Sequence, residues 1–158
     1  MKKILFVFVF LGLLAGCKSS STDVTPKTNV ELLAGTSSKK WKVTDGTVLY
    51  SGLTVNLVSN QPPCVTDNIL TLFADKTYEL SEGAVKCNMT DPSVIVKSTW
   101  SLEESPLKIS INKFIFLDYV IDNPVFIIKT IDEKQFTGET LVKYNGNNYV
   151  ATITFTAQ

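Results

Sequence analysis

The chain has 158 residues, of which 44% are hydrophobic and 19% charged, and this composition is typical of a single globular domain. Its formal net charge is zero, all fifteen basic residues are Lys, and His is absent. Without the Arg fork that grips phosphates and guanine edges, we expect no nucleic-acid partner. Without His, which is the usual general base and the commonest zinc ligand, we expect no enzyme, no cofactor and no metal site.

The N-terminus has the pattern of a bacterial export signal that covers residues 1–16. Lys2 and Lys3 give it a positive start, and residues 4–14 form an apolar stretch too short to span a bilayer. Residues 14–17 read Leu-Ala-Gly-Cys, which resembles the lipobox of bacterial lipoproteins. This resemblance predicts cleavage before Cys17 and attachment of a lipid to its thiol.

Two other interpretations of this segment are an uncleaved anchor and an ordinary secretory cut after Gly16. Several acyl chains on Cys17, such as palmitate, would hold the protein stably on a membrane, so we expect the membrane as a partner through this lipid. Residues 17–30 are rich in Ser, Thr and Lys and predict a flexible tether. In lipoproteins of two-membrane bacteria, Lys18 at the position after the Cys implies the outer membrane, on its periplasmic or surface side.

Residues 31–158 predict one all-β domain, because short runs rich in Val, Ile, Thr, Phe and Tyr recur between turn signals. Most links are short, which favours antiparallel neighbours. An open sheet would leave two exposed edges, so a closed up-and-down barrel is the favoured architecture and a β-sandwich is the alternative. We predict about eight strands, near residues 40–45, 53–58, 68–73, 77–82, 95–102, 107–117, 125–142 with a turn at 132–134, and 148–156.

Cys64 and Cys87 are an even pair in an exported domain and predict a disulfide, with free thiols or a metal site as alternatives. Their midpoint falls at the centre of a predicted hairpin turn over residues 74–77. An antiparallel hairpin turning there would place Cys64 opposite Cys87 and Phe73 opposite Tyr78.

Four segments of the chain resemble the lipocalin-like lipoproteins of Bacteroidetes. The resemblance covers most of the chain beyond the signal and implies a lipocalin-like barrel behind a lipobox and a short tether. The segments are LLAGTSSKKWKV at residues 32–43, CVTDN at 64–68, FADKTY at 73–78 and TWSL at 99–102.

Trp41 and Trp100 are candidate ligand contacts, because a small barrel can hold one apolar molecule. Core packing is the alternative role for both. The first functional hypothesis is therefore a non-enzymatic lipoprotein that binds a small apolar or amphipathic ligand. The second is a structural or interaction module whose loops 59–63 and 88–93 contact another envelope protein or a glycan. An enzyme using carboxylate, Ser, Lys or Tyr chemistry is a third hypothesis.

Overall fold

A computed structural model describes residues 25–116 and 119–158, so the predicted signal peptide at 1–16 and the predicted lipidation site at Cys17 lie outside the described residues. Within the described part, short helices and strands follow one another with brief turns. In chain order they are α1 Asn29–Ala34, β1 Ser38–Tyr50, β2 Leu53–Asn56, α2 Pro63–Thr66, β3 Ile69–Phe73, β4 Thr77–Ser81, β5 Val94–Glu104, β6 Leu107–Ile111, β7 Lys113–Phe116, β8 Tyr119–Asp122, β9 Val125–Ile131, β10 Gln135–Tyr144 and β11 Asn147–Ala157.

Eight of these strands form a closed barrel. Strands β1, β3, β4, β5, β6, β9, β10 and β11 are neighbours in that order, and β11 pairs with β1 to complete the ring. All of these pairings are antiparallel. The predicted all-β up-and-down barrel is therefore confirmed, and the sandwich alternative is wrong. Strand β2 adds to β1 outside the ring, and β7 and β8 form a separate hairpin.

The predicted strands differ from the observed ones in three places. Strand β1 continues to Tyr50 instead of ending at residue 45, because an irregularity between Val43 and Asp45 interrupts the alternation on which the prediction depended. The run predicted at 107–117 divides at Asn112 into β6 and β7. The four-residue strand β8 was not predicted at all.

Helix α1 covers one end of the barrel, here called the closed end. The Thr28 hydroxyl accepts a hydrogen bond from the Glu31 N–H, and the Glu31 carboxylate accepts one from the Thr28 N–H, which is a capping box. Leu33 and Ala34 are fully buried. The folded domain thus begins by Thr28, a little before the end of the predicted tether at residue 30.

Aromatic side chains fill the barrel above α1. Phe136 stacks on Phe155 at a centroid distance of 4.4 Å, and Trp41 meets Phe136 edge-on at 4.8 Å. A Cβ on Gly138 would lie 3.1 Å from the Cβ of Phe126, so this close approach requires Gly. The described residues contain a continuous core of buried side chains inside a closed ring of strands, so the domain of residues 25–158 is expected to fold alone.

The predicted hairpin turn between β3 and β4 forms, but its predicted register is wrong by one residue. Tyr78 pairs with Leu72 rather than with Phe73. Lys76 adopts a left-handed backbone conformation with φ 71°. A residue in the left-handed conformation at the end of a turn adds one residue on the side of the second strand. The pairing of the two strands therefore shifts by one residue.

The predicted disulfide between Cys64 and Cys87 is present, with a Cα–Cα distance of 5.1 Å. The two cysteines do not face each other across a strand ladder, because the pairing of β3 with β4 ends at Ile69 and Ser81. Cys64 lies in α2, and Cys87 lies in the loop between β4 and β5. The bond therefore joins the two segments that flank the hairpin.

Replacing both cysteines together, Cys64→Ala with Cys87→Ala, should lower the free energy of unfolding by about 3 kcal/mol, because the bond closes a loop with a sequence separation of 23. Urea unfolding followed by fluorescence of the core tryptophans measures this loss. The wild-type protein under a reducing agent should unfold at the midpoint of the double variant. An unchanged midpoint in both samples would show that the bond adds no stability.

Candidate functional site

Two long hairpins rise beyond the core at the end of the barrel opposite α1, here called the open end. Strand β1 starts beside α1 and runs for 13 residues, and β10 and β11 have 10 and 11 residues. Strands β3, β4 and β6 on the other side have only five residues each, and the 11-residue strand β5 starts level with the end of β4, where Val94 pairs with Ser81. The wall of the barrel is therefore taller on the side of β1, β10 and β11, which leaves room above the core.

The turns at the open end are tight hairpin turns. Ser51 and Gly52 connect β1 to β2 with φ of 50° and 81°, and Asn145 and Gly146 connect β10 to β11 with φ of 47° and 80°. Two consecutive positive φ values match the right-handed twist of the flanking strands. The turn predicted at Asn145 and Gly146 is confirmed. Each of the two long hairpins therefore ends in a tight turn of defined backbone conformation.

A cleft of about 720 Å³ lies between the hairpins β1–β2, β10–β11 and β7–β8. The buried ring of Phe116 forms its floor, with 7% of its surface exposed. The side chains of its lower wall are half-buried, and all but one are aliphatic. They are Val48, Leu57, Ile121, Val142 and Tyr149.

The rim of the cleft carries aromatic and amide side chains. Four of the five tyrosines in the chain line the cleft. The rings of Tyr50 and Tyr149 are 5.4 Å apart, and those of Tyr119 and Tyr144 are 6.3 Å apart, so the tyrosines form two pairs. The exposed amide side chains on the rim are Asn56, Asn60, Gln61 and Asn148.

One of these amides has a structural role. The Asn56 side-chain oxygen accepts hydrogen bonds from the backbone N–H groups of Val58 and Ser59, at 2.9 and 2.8 Å. Its side-chain nitrogen donates to the Asp45 carboxylate at 2.9 Å. Asn56 thus fixes the loop that follows β2, and this loop brings Asn60 and Gln61 to the rim.

Charged side chains are scarce around the cleft. Residues 46–66 and 144–158 contain no Asp, Glu or Lys, and these two segments supply most of the lining. The lining includes Asp122 and Lys143, and both are exposed on the rim. The Asp122 carboxylate also lies 4.0 Å from the Lys113 ammonium. Among the lining residues that the structure describes, the lower wall is therefore uncharged, and the two charged side chains on the rim are of opposite sign.

Strand alternation and one glycine explain how the chain builds this cleft. The irregularity in β1 between Val43 and Asp45 lets Gly46, Val48 and Tyr50 continue the inward-facing column that begins with Trp41. A Cβ on Gly46 would lie 3.2 Å from the ring of Phe116. Gly46 therefore leaves space for the Phe116 ring to close the floor against β1.

The predicted ligand contacts, Trp41 and Trp100, lie elsewhere. The Trp41 indole N–H donates to the Leu33 carbonyl at 2.7 Å, and the Trp100 indole N–H donates to the Phe73 carbonyl at 3.0 Å. Both rings are buried near the closed end, and neither lines the large cleft. Trp41 borders a separate cavity of about 20 Å³. The structure therefore gives both a core position.

Sequence reasoning missed the tyrosines of the cleft. A signal was present, because Tyr50 precedes a Ser-Gly turn and Tyr144 and Tyr149 flank the Asn-Gly turn. Of the two loops proposed for a partner, 59–63 supplies two rim residues, whereas no residue of 88–93 lines the cleft.

The open end also exposes apolar side chains outside the cleft. Leu49 is 62% exposed, Leu53 70% and Val150 50%. Each lies in the upper part of β1, β2 or β11, next to the hairpin turns. Exposed apolar side chains grouped in this way are typical of a contact surface.

A separate polar cluster lies beside the disulfide. Within the described residues, one oxygen of each of Asp67, Asn68 and Glu82 is buried without a hydrogen-bond partner. Burial raises the pKa of Glu82 above its usual value, and the nearby charges of Asp91 and Asp67 raise it further. Across residues 25–116 and 119–158, no three His, Cys, Asp or Glu side chains are arranged to hold a metal.

No protein-family model matches the chain, and comparison with curated proteins and with solved structures finds no significant match. The helices of the described region are too short or too polar to cross a membrane. The candidate site therefore depends on its own geometry and chemistry.

Glu82→Gln should raise the urea midpoint at pH 7 and have little effect at pH 4. The folded state raises the pKa of Glu82, so the stability contributed by this group is fully present below its unfolded pKa and is lost as the pH rises through the folded pKa. Glutamine keeps the neutral form at every pH. Glu103→Gln, which removes an exposed ion pair with Lys108, is the control and should change little at either pH. An equal gain at both pH values for Glu82→Gln would contradict this account.

Proposed function

We propose that the protein is an outer-membrane lipoprotein of the bacterial envelope that binds a small apolar or amphipathic molecule at the open end of its barrel. The cleft carries this proposal. Its volume of about 720 Å³ falls in the range of about 300–1,000 Å³ that is typical of small-molecule sites. An apolar wall below a rim of a few polar groups is the usual design of such a site.

The surroundings of the cleft support a preformed site. Ten residues of β10 pair continuously with β11, from Gln135 to Tyr144, and the end of β1 pairs with β2 from Thr47 to Tyr50. These ladders hold the lining side chains in fixed positions without a ligand. Binding would then require little ordering of the protein, which favours affinity.

The position of the cleft fits an anchored protein. The described chain enters the barrel at the closed end, where Lys27 pairs with Glu133 at 2.8 Å. A lipid on Cys17 would attach through residues 18–24 to this end. The cleft opens at the other end of the barrel from the point where the described chain begins.

A second candidate function is contact with another envelope protein or a glycan, and no nucleic acid is proposed as a partner. The exposed Leu49 and Leu53 beside the cleft, and Met89 at 96% exposure near the disulfide, are the observations that favour it. Such side chains are suited to burial against a partner. A partner contact would persist when the cleft is filled, whereas small-molecule binding would not.

Cys17→Ala in the full chain should abolish lipid attachment and move the protein from the membrane fraction to the soluble fraction. Growth with an alkyne analogue of palmitate, followed by coupling to a fluorescent dye, detects the acyl chain on the protein. Cys64→Ala is the matched control and should keep both the label and the membrane association. Label on the Cys17→Ala protein would contradict the lipobox interpretation.

Val142→Trp should fill the cleft and weaken binding of the neutral fluorescent probe N-phenyl-1-naphthylamine at least tenfold. Val142 faces the cleft as a half-buried wall residue. Val150→Trp is the matched control, because Val150 is exposed on the neighbouring strand and does not line the cleft. Titration of the domain of residues 25–158 with the probe measures both affinities, and circular dichroism checks that both variants keep the β fold.

Equal binding by the two tryptophan variants would show that the probe lies outside the cleft. Failure of the wild-type domain to bind the probe would remove the small-molecule proposal and leave the contact function.

A further inference from the structure

We infer that the cleft selects an uncharged amphiphile, with an apolar body and a hydroxylated head such as a sugar ring. This inference rests on the proposed function and specifies its ligand. The apolar lower wall and the polar rim of the cleft are separate, and this separation supports it.

The lower wall determines which part of a ligand can enter. Phe116 on the floor and Val48, Leu57, Ile121 and Val142 on the lower wall have side chains of carbon only, and Tyr149 adds one hydroxyl group to that wall. A charged group placed against them would lose its hydration without gaining a partner, which is strongly unfavourable. An alkyl chain or fused rings would instead bury apolar surface against these side chains, which is favourable. The part of the ligand that enters is therefore apolar.

The rim determines the chemistry of the head. Tyr50, Tyr119 and Tyr144 are exposed there, and so are the amides of Asn60, Gln61 and Asn148. Phenol and amide groups both donate and accept hydrogen bonds without carrying charge. The faces of the tyrosine rings are flat and apolar. A sugar ring has C–H groups on its faces and hydroxyl groups at its edges, so it can stack on the rings and bond to the amides together.

Within residues 25–116 and 119–158, the two charged side chains on the rim do not favour a charged head. Asp122 would repel an anion and Lys143 would repel a cation, and Asp122 already has Lys113 nearby. Both side chains are exposed to water, where the attraction for an opposite charge is weak and screened by salt. The three exposed tyrosines and the amides of Asn60, Gln61 and Asn148 on the same rim are therefore the main source of selectivity.

A series of ligands with the same octyl chain tests the inference on the domain of residues 25–158. Octyl glucoside, octanoate and octylammonium are each used below the concentration at which they form micelles. Each competes with N-phenyl-1-naphthylamine for the cleft, and glucose alone serves as the head-group control. We expect octyl glucoside to displace the probe at a concentration at least tenfold lower than either charged ligand, with little dependence on salt. We expect no displacement by glucose.

A pair of asparagine variants locates the head. Asn148→Ala should weaken octyl glucoside binding about threefold to tenfold, which corresponds to one hydrogen bond, and should leave binding of the probe unchanged. Asn147→Ala is the matched control, since Asn147 is exposed on the same strand and does not line the cleft. Both residues are exposed near the tip of β11, so neither substitution should disturb the core.

The other possible outcomes overturn either this inference or the proposed function. Octanoate or octylammonium binding as tightly as octyl glucoside would overturn the inference and leave the proposed function in place. Displacement by glucose alone would also overturn it, because the apolar body would then be unnecessary. A probe that binds but is not displaced by any octyl ligand would overturn it as well. Failure of the probe to bind would instead refute the proposed function itself.

Discussion

The pairing of β1 with β11 is the interaction on which both ends of the molecule depend. It runs from Trp41 to Val48 and closes the ring of strands. Without it, β1 and β11 would be two exposed edges of an open sheet, which is a risk for aggregation. The pairing shifts at Thr44, whose hydroxyl lies 2.7 Å from that of Thr156. This shift keeps the inner face of β1 directed inward over its whole length, first into the core and then into the cleft.

The two ends of the barrel use aromatic residues differently. At the closed end Trp41 and Trp100 are buried. Each buried indole N–H needs a hydrogen-bond acceptor, and each donates to a backbone carbonyl oxygen. Lys39 and Lys76 place their ammonium groups over these two rings, at 4.4 and 3.9 Å from the ring centroids. At the open end the aromatic residues are tyrosines, whose hydroxyl groups can remain in water while the rings line the cleft. The closed end is thus suited to stability and the open end to contact with a ligand.

The fold could largely be predicted from the sequence, whereas the site could not. Alternating patterns and turn residues are local signals, and they led to the barrel and its turns, while the even cysteine pair in a domain predicted to be exported led to the Cys64–Cys87 disulfide. The register between Leu72 and Tyr78 was missed because it depends on the backbone conformation of the single residue Lys76. The cleft was missed because it depends on unequal strand lengths and on the separate hairpin β7–β8, which are properties of the assembled barrel.

The filled interior of the barrel explains why Trp41 and Trp100, the predicted ligand contacts, lie in the core and not in the cleft. A barrel of eight strands has an interior that side chains can fill, and here Trp41 packs with Phe136 and Phe155 to fill it. In the part of the chain that the structure describes, the cleft of about 720 Å³ lies above this core, where the strands extend beyond their shorter neighbours. In a small barrel with a large aromatic core, the ligand site is therefore better sought among exposed tyrosines beside the hairpin turns than among the tryptophans. The open end of this protein has that arrangement at Tyr50 and Tyr149.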